Sequence, residues 1–271
     1  MMYSIYHFFA SLIQTREAFW TVEKLDQFPF ETTMLSCVNK GRFPDLAIRL
    51  NTDRALFTGG ELVELKDSRS YTIASFNSTI PSGRKHVDKF ITSHNSKIYQ
   101  QMVEAGDDVY ALPMREVYYL VRGTNGKYTK IVLIHGSFFE TVKADQLIQR
   151  AFMQIIEEQS SRVIPEDILR FLETMPFEQH DFSQTRDIEQ ASVKIRFRIM
   201  TEAKAQANIF DERYYPEISD DTLNFVIPCD DDATQATILQ QAQHAFDIAG
   251  LQQFKIKHVL NGEYLVFQVR K

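Results

Sequence analysis

The sequence predicts an α/β chain of the mixed α+β kind: a central mixed β-sheet flanked by helices, extended by a C-terminal β-β-α-β-β elaboration. Three observations carry this expectation. Short runs such as DLAIRL, ELVELK and YTKIVLI are rich in alternating or continuous apolar residues and sit next to Gly, Pro or Asn. Between such runs lie stretches whose apolar residues recur at helical spacing. The two kinds interleave along the chain, which favours strands sharing a sheet with helices packed on it.

The first element expected is an amphipathic helix, with Ile5, Phe8, Phe9, Leu12 and Ile13 on one face. Strands are expected over residues 45–50, 61–66 and 71–76, the first two joined by a connection ending in Gly59-Gly60. Residues 77–85 read as a loop. From Val87 the period changes, and Val87, Phe90, Ile91, Ile98, Met102 and Val103 suit one face of a helix ending near Gly106. Residues 117–122 and 128–134 flank Gly-Thr-Asn-Gly-Lys, a hairpin signal with an Asn-Gly pair. Helices are expected at 141–158 and 165–173, followed by a polar connection at 178–190 and a strand at 192–200. A strand at 223–228, a helix at 233–249 and a closing hairpin turning at Asn261-Gly262 complete the chain. Asp230, Asp231 and Asp232 precede that helix and are expected to complement its dipole. The polar connection divides residues 1–177 from 178–271, and the second part is expected either to stand alone or to pack on the same sheet.

Composition narrows the function classes. The 271 residues are 44% hydrophobic, enough for a core, and carry a net charge of −6. That balance argues against bulk adhesion to nucleic acid but permits a local basic groove. Two cysteines, Cys37 and Cys229, do not make a disulfide scaffold and fit a reducing compartment. The apolar N-terminus lacks a basic leader and is too short to span a bilayer, so a cytoplasmic location and no membrane partner are expected. No Gly-rich phosphate loop is present, so no nucleotide cofactor is expected.

The chemistry concentrates in FPDLAIRL and GGELVELKDS. Asp45 opens one expected strand, and Glu64 and Lys66 lie two apart on the next, so they share a face while Val63 and Leu65 point to a core. Asp45 and Glu64 offer hard oxygen ligands for Mg²⁺, with Mn²⁺ as a substitute, and the Leu65 carbonyl offers a further oxygen. Such an ion activates water and polarises a phosphate, and Lys66 is placed to orient the water or offset charge.

Pro44-Asp45 followed by Glu64-Leu65-Lys66 resembles the PD-(D/E)XK nuclease superfamily. The resemblance spans roughly residues 4–134, Glu64 follows Asp45 by 19 positions, and the length and elaborations look most like type II restriction endonucleases. It implies a Mg²⁺-dependent endonuclease on double-stranded DNA, with Asp45 and Glu64 as metal ligands and Lys66 as the catalytic lysine. It also implies a nuclease core over residues 1–177, a DNA-recognising region over 178–271, a homodimer as one assembly, and in some members a further acid from the first helix, here Glu17 or Glu23. A second acid-x-Lys match, Glu202-Ala203-Lys204, lacks the strand pattern and the upstream Pro-Asp. Two other readings stay open: a structure-specific repair or junction-resolving nuclease, and a non-catalytic DNA-binding or interaction protein.

Residues that can hold DNA lie in three places. Lys40 and Arg42 precede Asp45. The loop NSTIPSGRK offers Asn77, Ser78, Ser82, Arg84 and Lys85. The strand at 192–200 alternates Val193, Ile195, Phe197 and Ile199 against Lys194, Arg196 and Arg198, a three-cation face.

Overall fold

The computed structural model describes residues 43–50, 59–73, 81–91, 93–140, 208–229, 231–246 and 249–270, with strand backbone at 35–37, 76–77 and 200–201 and scattered helical positions between 154 and 170. The chain is an α/β fold around one mixed sheet. In chain order the strands are β1 (Leu35–Cys37), β2 (Leu46–Ile48), β3 (Leu62–Ser68), β4 (Phe76–Asn77), β5 (Arg84–His86), β6 (Met114–Thr124), β7 (Thr129–His135), β8 (Met200–Thr201), β9 (Thr222–Pro228), β10 (Gln252–His258) and β11 (Gly262–Arg270). Among the described residues the α-helices given in full are α1 (Lys97–Glu104) and α2 (Asp232–Ala245). The sheet order is β1-β2-β3-β6-β7-β9-β11-β10, with β5 pairing on β6, and β4 and β8 form a separate pair.

β6 and β7 are the spine. They form the hairpin that Asn125-Gly126 announces: Gly126 takes φ +90°, and the Asn125 side chain accepts from the Lys127 and Tyr128 amides. Parallel pairings flank this hairpin, β3 with β6 and β7 with β9, and the neighbouring pairs are antiparallel. The C-terminal strands therefore continue the sheet that carries β3.

Both faces of the spine are buried. Leu62, Val117, Tyr119, Val121, Ile134, Val226 and Tyr264 face one core, closed by Ile98 and Met102 of α1, by Phe138 and by Ile209, Phe210, Tyr215 and Ile218. Val63, Tyr118, Leu133, Phe225, Leu265 and Phe267 face the other, closed by Ile238, Ala242 and Ala245 of α2 and by Phe246, whose ring stacks 5.0 Å from Phe267. Asp231 caps α2 by accepting from the Thr234 amide at 2.7 Å, and Asp232 lies in the first turn, as the acidic run predicts.

Several expected elements differ. Residues 71–73 are not strand: Tyr71 adopts φ +53°, and its side chain turns to donate to Asp220, while Phe76 of the expected strand belongs to β4. The loop expected at 77–85 instead delivers β5, whose pairing with residues 114–116 of β6 is too distant in sequence to leave a local signal. The long helix from Val87 is a 3-10 turn, Val87–Lys89, followed separately by α1. The strand at Asp45 begins at Leu46, and the helix expected to end at 249 stops at Ala245. Among the described residues no helix is long and apolar enough to cross a membrane. The first helix, the helices at 141–158 and 165–173, the basic strand face and Glu202-Lys204 lie outside the residues described in full.

Candidate active site

β2 and β3 pair with Leu46 opposite Val63 and Ala47 opposite Leu62, so the next step sets Asp45 opposite Glu64 on the same face. The Ile48 amide donates to the Glu61 carbonyl at 2.8 Å, which fixes the alternation of the ladder. By that alternation the next backbone-bonded rung joins residues 44 and 65. Pro44 has no N–H to give, so the ladder offers the Leu65 carbonyl no donor there. The Leu65 amide instead donates to Asp45 Oδ2 at 2.8 Å. A strand residue's N–H and C=O point to the same side, so the Leu65 carbonyl faces Asp45 as well. The Leu65 side chain is 44% exposed, not in a core as expected, because α2 covers the sheet further along.

Glu64 and Lys66 share a face, as period two requires, and Lys66 Nζ contacts Glu64 Oε1 at 3.0 Å. The Glu64 side chain is 15% exposed, and its Oε2 is buried with no hydrogen-bond partner. Burial holds this carboxyl above its ordinary range; Lys66 opposes the rise through charge and hydrogen bond, the Asp45 charge adds to it, and the Asp45 backbone N–H opposes it. A buried carboxylate oxygen without a partner is costly and suits a ligand that supplies positive charge.

β5 brings a second lysine to this face. Lys85 pairs with Arg115, and Glu64 pairs with Tyr119, four residues further along β6 and on the same face. The Lys85 Nζ lies 4.2 Å above the Phe43 ring, and Phe43 meets Phe90 edge-on at 6.2 Å. Burial pushes Lys85 down to about 8, and the Glu64 charge opposes that. The strand is held by the Gly83 amide donating to Glu140 at 2.6 Å and by close packing of Gly83 on His135. Arg84 points away and pairs with Glu116 at 2.8 Å, and Glu116 also meets His135 Nε2 at 2.8 Å.

Beneath the site, the turn into β3 is locked by Arg115. This fully buried guanidinium bonds Asp107 twice, at 2.8 and 3.3 Å, and donates to the carbonyls of Gly60, Val109 and Leu112. Gly60, at φ +82°, leaves no room for a side chain against it.

The structure thus brings Asp45, Glu64, Lys66 and the Leu65 carbonyl together. Of the expected DNA-contacting residues, Ser82 is part-buried at the base of β5, Arg84 is exposed and ion-paired, and Lys85 is part-buried over Phe43, near enough for the Glu64 charge to act on it. Asn77 lies in β4 with only its backbone described, and Ser78, Lys40, Arg42, Lys194, Arg196 and Arg198 lie outside the described residues, as do Glu17 and Glu23. Sequence reasoning placed Lys85 among loop contacts; no local pattern shows its place over Phe43, which arises from a pairing about thirty residues away. Among the described residues no group of three or more His, Cys, Asp or Glu gathers to hold a metal. The donors present, two carboxylates and one carbonyl, are hard oxygens that fit a Mg²⁺ ion keeping several waters. No protein-family model matches the chain, and no curated protein or solved structure is detectably similar to it.

Proposed function

We propose that this protein is a Mg²⁺-dependent endonuclease of the PD-(D/E)XK type that hydrolyses phosphodiester bonds in double-stranded DNA, with a sequence-specific type II restriction enzyme as its particular form. The observation that carries the reading is Glu64 Oε2, buried and unpartnered on β3, where the β2–β3 register continued by one step brings Asp45 alongside. Asp45, Glu64 and the Leu65 carbonyl would hold the ion. When bound, it supplies an acidified water and a positive charge against the phosphate. Lys66, anchored on Glu64, orients that water and offsets the charge that builds during attack. β2 begins at Leu46, directly after Pro44-Asp45, so among the described residues its pairing with β3 stops beside Asp45.

The test is incubation with plasmid and mixed genomic DNA, with Mg²⁺ or Mn²⁺, followed by sequencing of the ends. Discrete fragments sharing one end sequence are expected, with Ca²⁺ supporting binding and little cleavage. Cleavage confined to branched or flapped DNA replaces the restriction reading with a structure-specific nuclease. Full activity in excess EDTA overturns the metal chemistry, and no cleavage of any DNA or RNA leaves a binding protein.

A further inference from the structure

The cations around this site are held in different ways. Lys66 rests on Glu64 at 3.0 Å, Arg84 on Glu116 at 2.8 Å and Arg115 on Asp107 at 2.8 Å. Lys85 has no such partner: among the described residues no hydrogen bond or ion pair holds its Nζ, which sits over the Phe43 ring. A part-buried ammonium that no carboxylate touches costs free energy, and a cation–π contact offsets only part of it. Glu64 is near enough for its charge to act on Lys85, and with burial pushing the group only to about 8 it keeps its proton at neutral pH. Asp45, Glu64, Lys66 and Lys85 together balance in charge. A divalent ion makes the cluster positive, which suits a phosphodiester.

We propose that Lys85 binds a non-bridging oxygen of the scissile phosphodiester, between Phe43 and the Asp45–Glu64 pair, and stabilises the charge that develops there. The proposal rests on the nuclease reading. In hydrolysis the water oxygen bonds to phosphorus and gives up a proton to solvent, while one ester P–O bond breaks and its oxygen takes up a proton. The diester carries one negative charge and the five-coordinate species formed from hydroxide carries two, so a cation at the non-bridging oxygen binds the transition state more tightly than the substrate. Seated behind Phe43, Lys85 cannot follow a distant phosphate along a groove, as the 70% exposed Arg84 side chain can.

The experiment compares the full-length wild type with Lys85→Met, Lys85→Gln and Lys85→Arg. It measures single-turnover cleavage in Mg²⁺ at saturating protein, DNA affinity in Ca²⁺ across a salt series, and thermal unfolding. Lys85→Met keeps an apolar stem on Phe43 and is expected to fold, to bind DNA no more than about 10-fold more weakly with a salt slope lower by at most about one, and at saturation to cleave about 10²–10³-fold more slowly. Lys85→Gln should do the same and decides the matter if the Met variant does not fold. Lys85→Arg should recover at least about tenfold of the loss by restoring the charge. A neutral variant that cleaves within about 3-fold of wild type at saturation overturns the proposal. So does one that loses affinity with a salt slope lower by about one at an unchanged saturating rate, because that marks an ordinary groove contact. A wild type that cleaves nothing overturns the nuclease reading itself, before any variant is compared.

Discussion

Two lysine–carboxylate groups sit on the same face of the sheet and are built to opposite ends. On β7, Lys130 has a side chain only 1% exposed, yet its Nζ reaches Glu212 at 3.1 Å and Asp220 at 3.6 Å and lies 4.9 Å from the Tyr71 ring. Tyr71 in turn donates to Asp220 at 2.8 Å. Everything there has a partner. At the Asp45–Glu64 end, Glu64 keeps an unpartnered buried oxygen and Lys85 an ammonium over an aromatic ring. The difference teaches how to tell a structural ion cluster from a poised one: residue types are shared, and satisfaction is not. Strain of this kind is kept where function needs it, at a cost in stability.

The largest expected effect separates the two groups by activity. Asp45→Ala, Glu64→Ala and Lys66→Ala should each lower single-turnover cleavage by about 10³-fold or more, with a double variant little worse than a single, because the three act as a unit. Lys130→Met should leave the saturating rate within about 3-fold of wild type, whatever it does to stability. If Lys130→Met alone silences cleavage while the Asp45 and Glu64 variants cut DNA, the two clusters have been assigned the wrong way round.

The next effect separates them by the sign of a stability change. Glu212→Gln with Asp220→Asn strands a buried ammonium and should destabilise by about 2 kcal/mol, roughly 4–8 °C in Tm for a chain of this length. Glu64→Gln should do the reverse in metal-free protein at pH 7 to 8. The Glu64 carboxyl is raised above the ordinary glutamate value in the folded state, mainly by burial. Folding stability is therefore lost as pH rises through the interval between the ordinary and the raised value, where the unfolded chain has released its proton and the folded chain holds it. The Gln variant does not ionise, so its melting temperature should exceed that of the wild type above that interval, and the advantage should vanish below it. Thermal unfolding from pH 4 to 8 in EDTA reads this directly. An unchanged or lowered Tm for Glu64→Gln at pH 8 means that the pairing with Lys66 outweighs the desolvation.

Much of this contrast was legible in the sequence, and the missing part has a physical cause. Glu64 and Lys66 could be placed on one face from period two alone, and the β6–β7 hairpin from Asn125-Gly126 between apolar runs, because both signals are local. The opposition of Asp45 to Glu64 follows once β2 and β3 pair, and Pro44 marks where that pairing ends. Lys85 was visible only as half of a basic pair in a loop. Its place over Phe43 depends on β5 adding to the start of β6, a contact set by tertiary packing and the Gly83–Glu140 bond. Tyr71 misled for a related reason. Its β-rich surroundings, YTIASF, suggest a strand, but its aromatic ring and hydroxyl serve Lys130 and Asp220, and the backbone turns to allow it. Leu65 reads as a core residue by alternation, and its exposure depends on where α2 lies.

The smallest expected effect tests whether the unsatisfied cluster binds an ion at all, without reference to cleavage. A ligand that binds only the folded state stabilises it in proportion to the logarithm of its saturation. Two carboxylates and a carbonyl make a weak Mg²⁺ site, so Mg²⁺ at about ten times its dissociation constant should add on the order of 1 kcal/mol, or about 2–4 °C. A chain of net charge −6 also gains slightly from any divalent ion, and this background must be subtracted. The comparison supplies its own control. The Glu212→Gln, Asp220→Asn variant loses carboxyl charge away from the proposed site and should keep the Mg²⁺ shift. Asp45→Asn with Glu64→Gln loses the same formal charge at the site and should lose the shift, leaving only the background. Melting curves with MgCl₂ against NaCl at matched ionic strength decide it. Equal Mg²⁺ shifts in the two double variants would mean that the ion does not choose the cluster left unsatisfied, and that its buried oxygen serves something other than a metal.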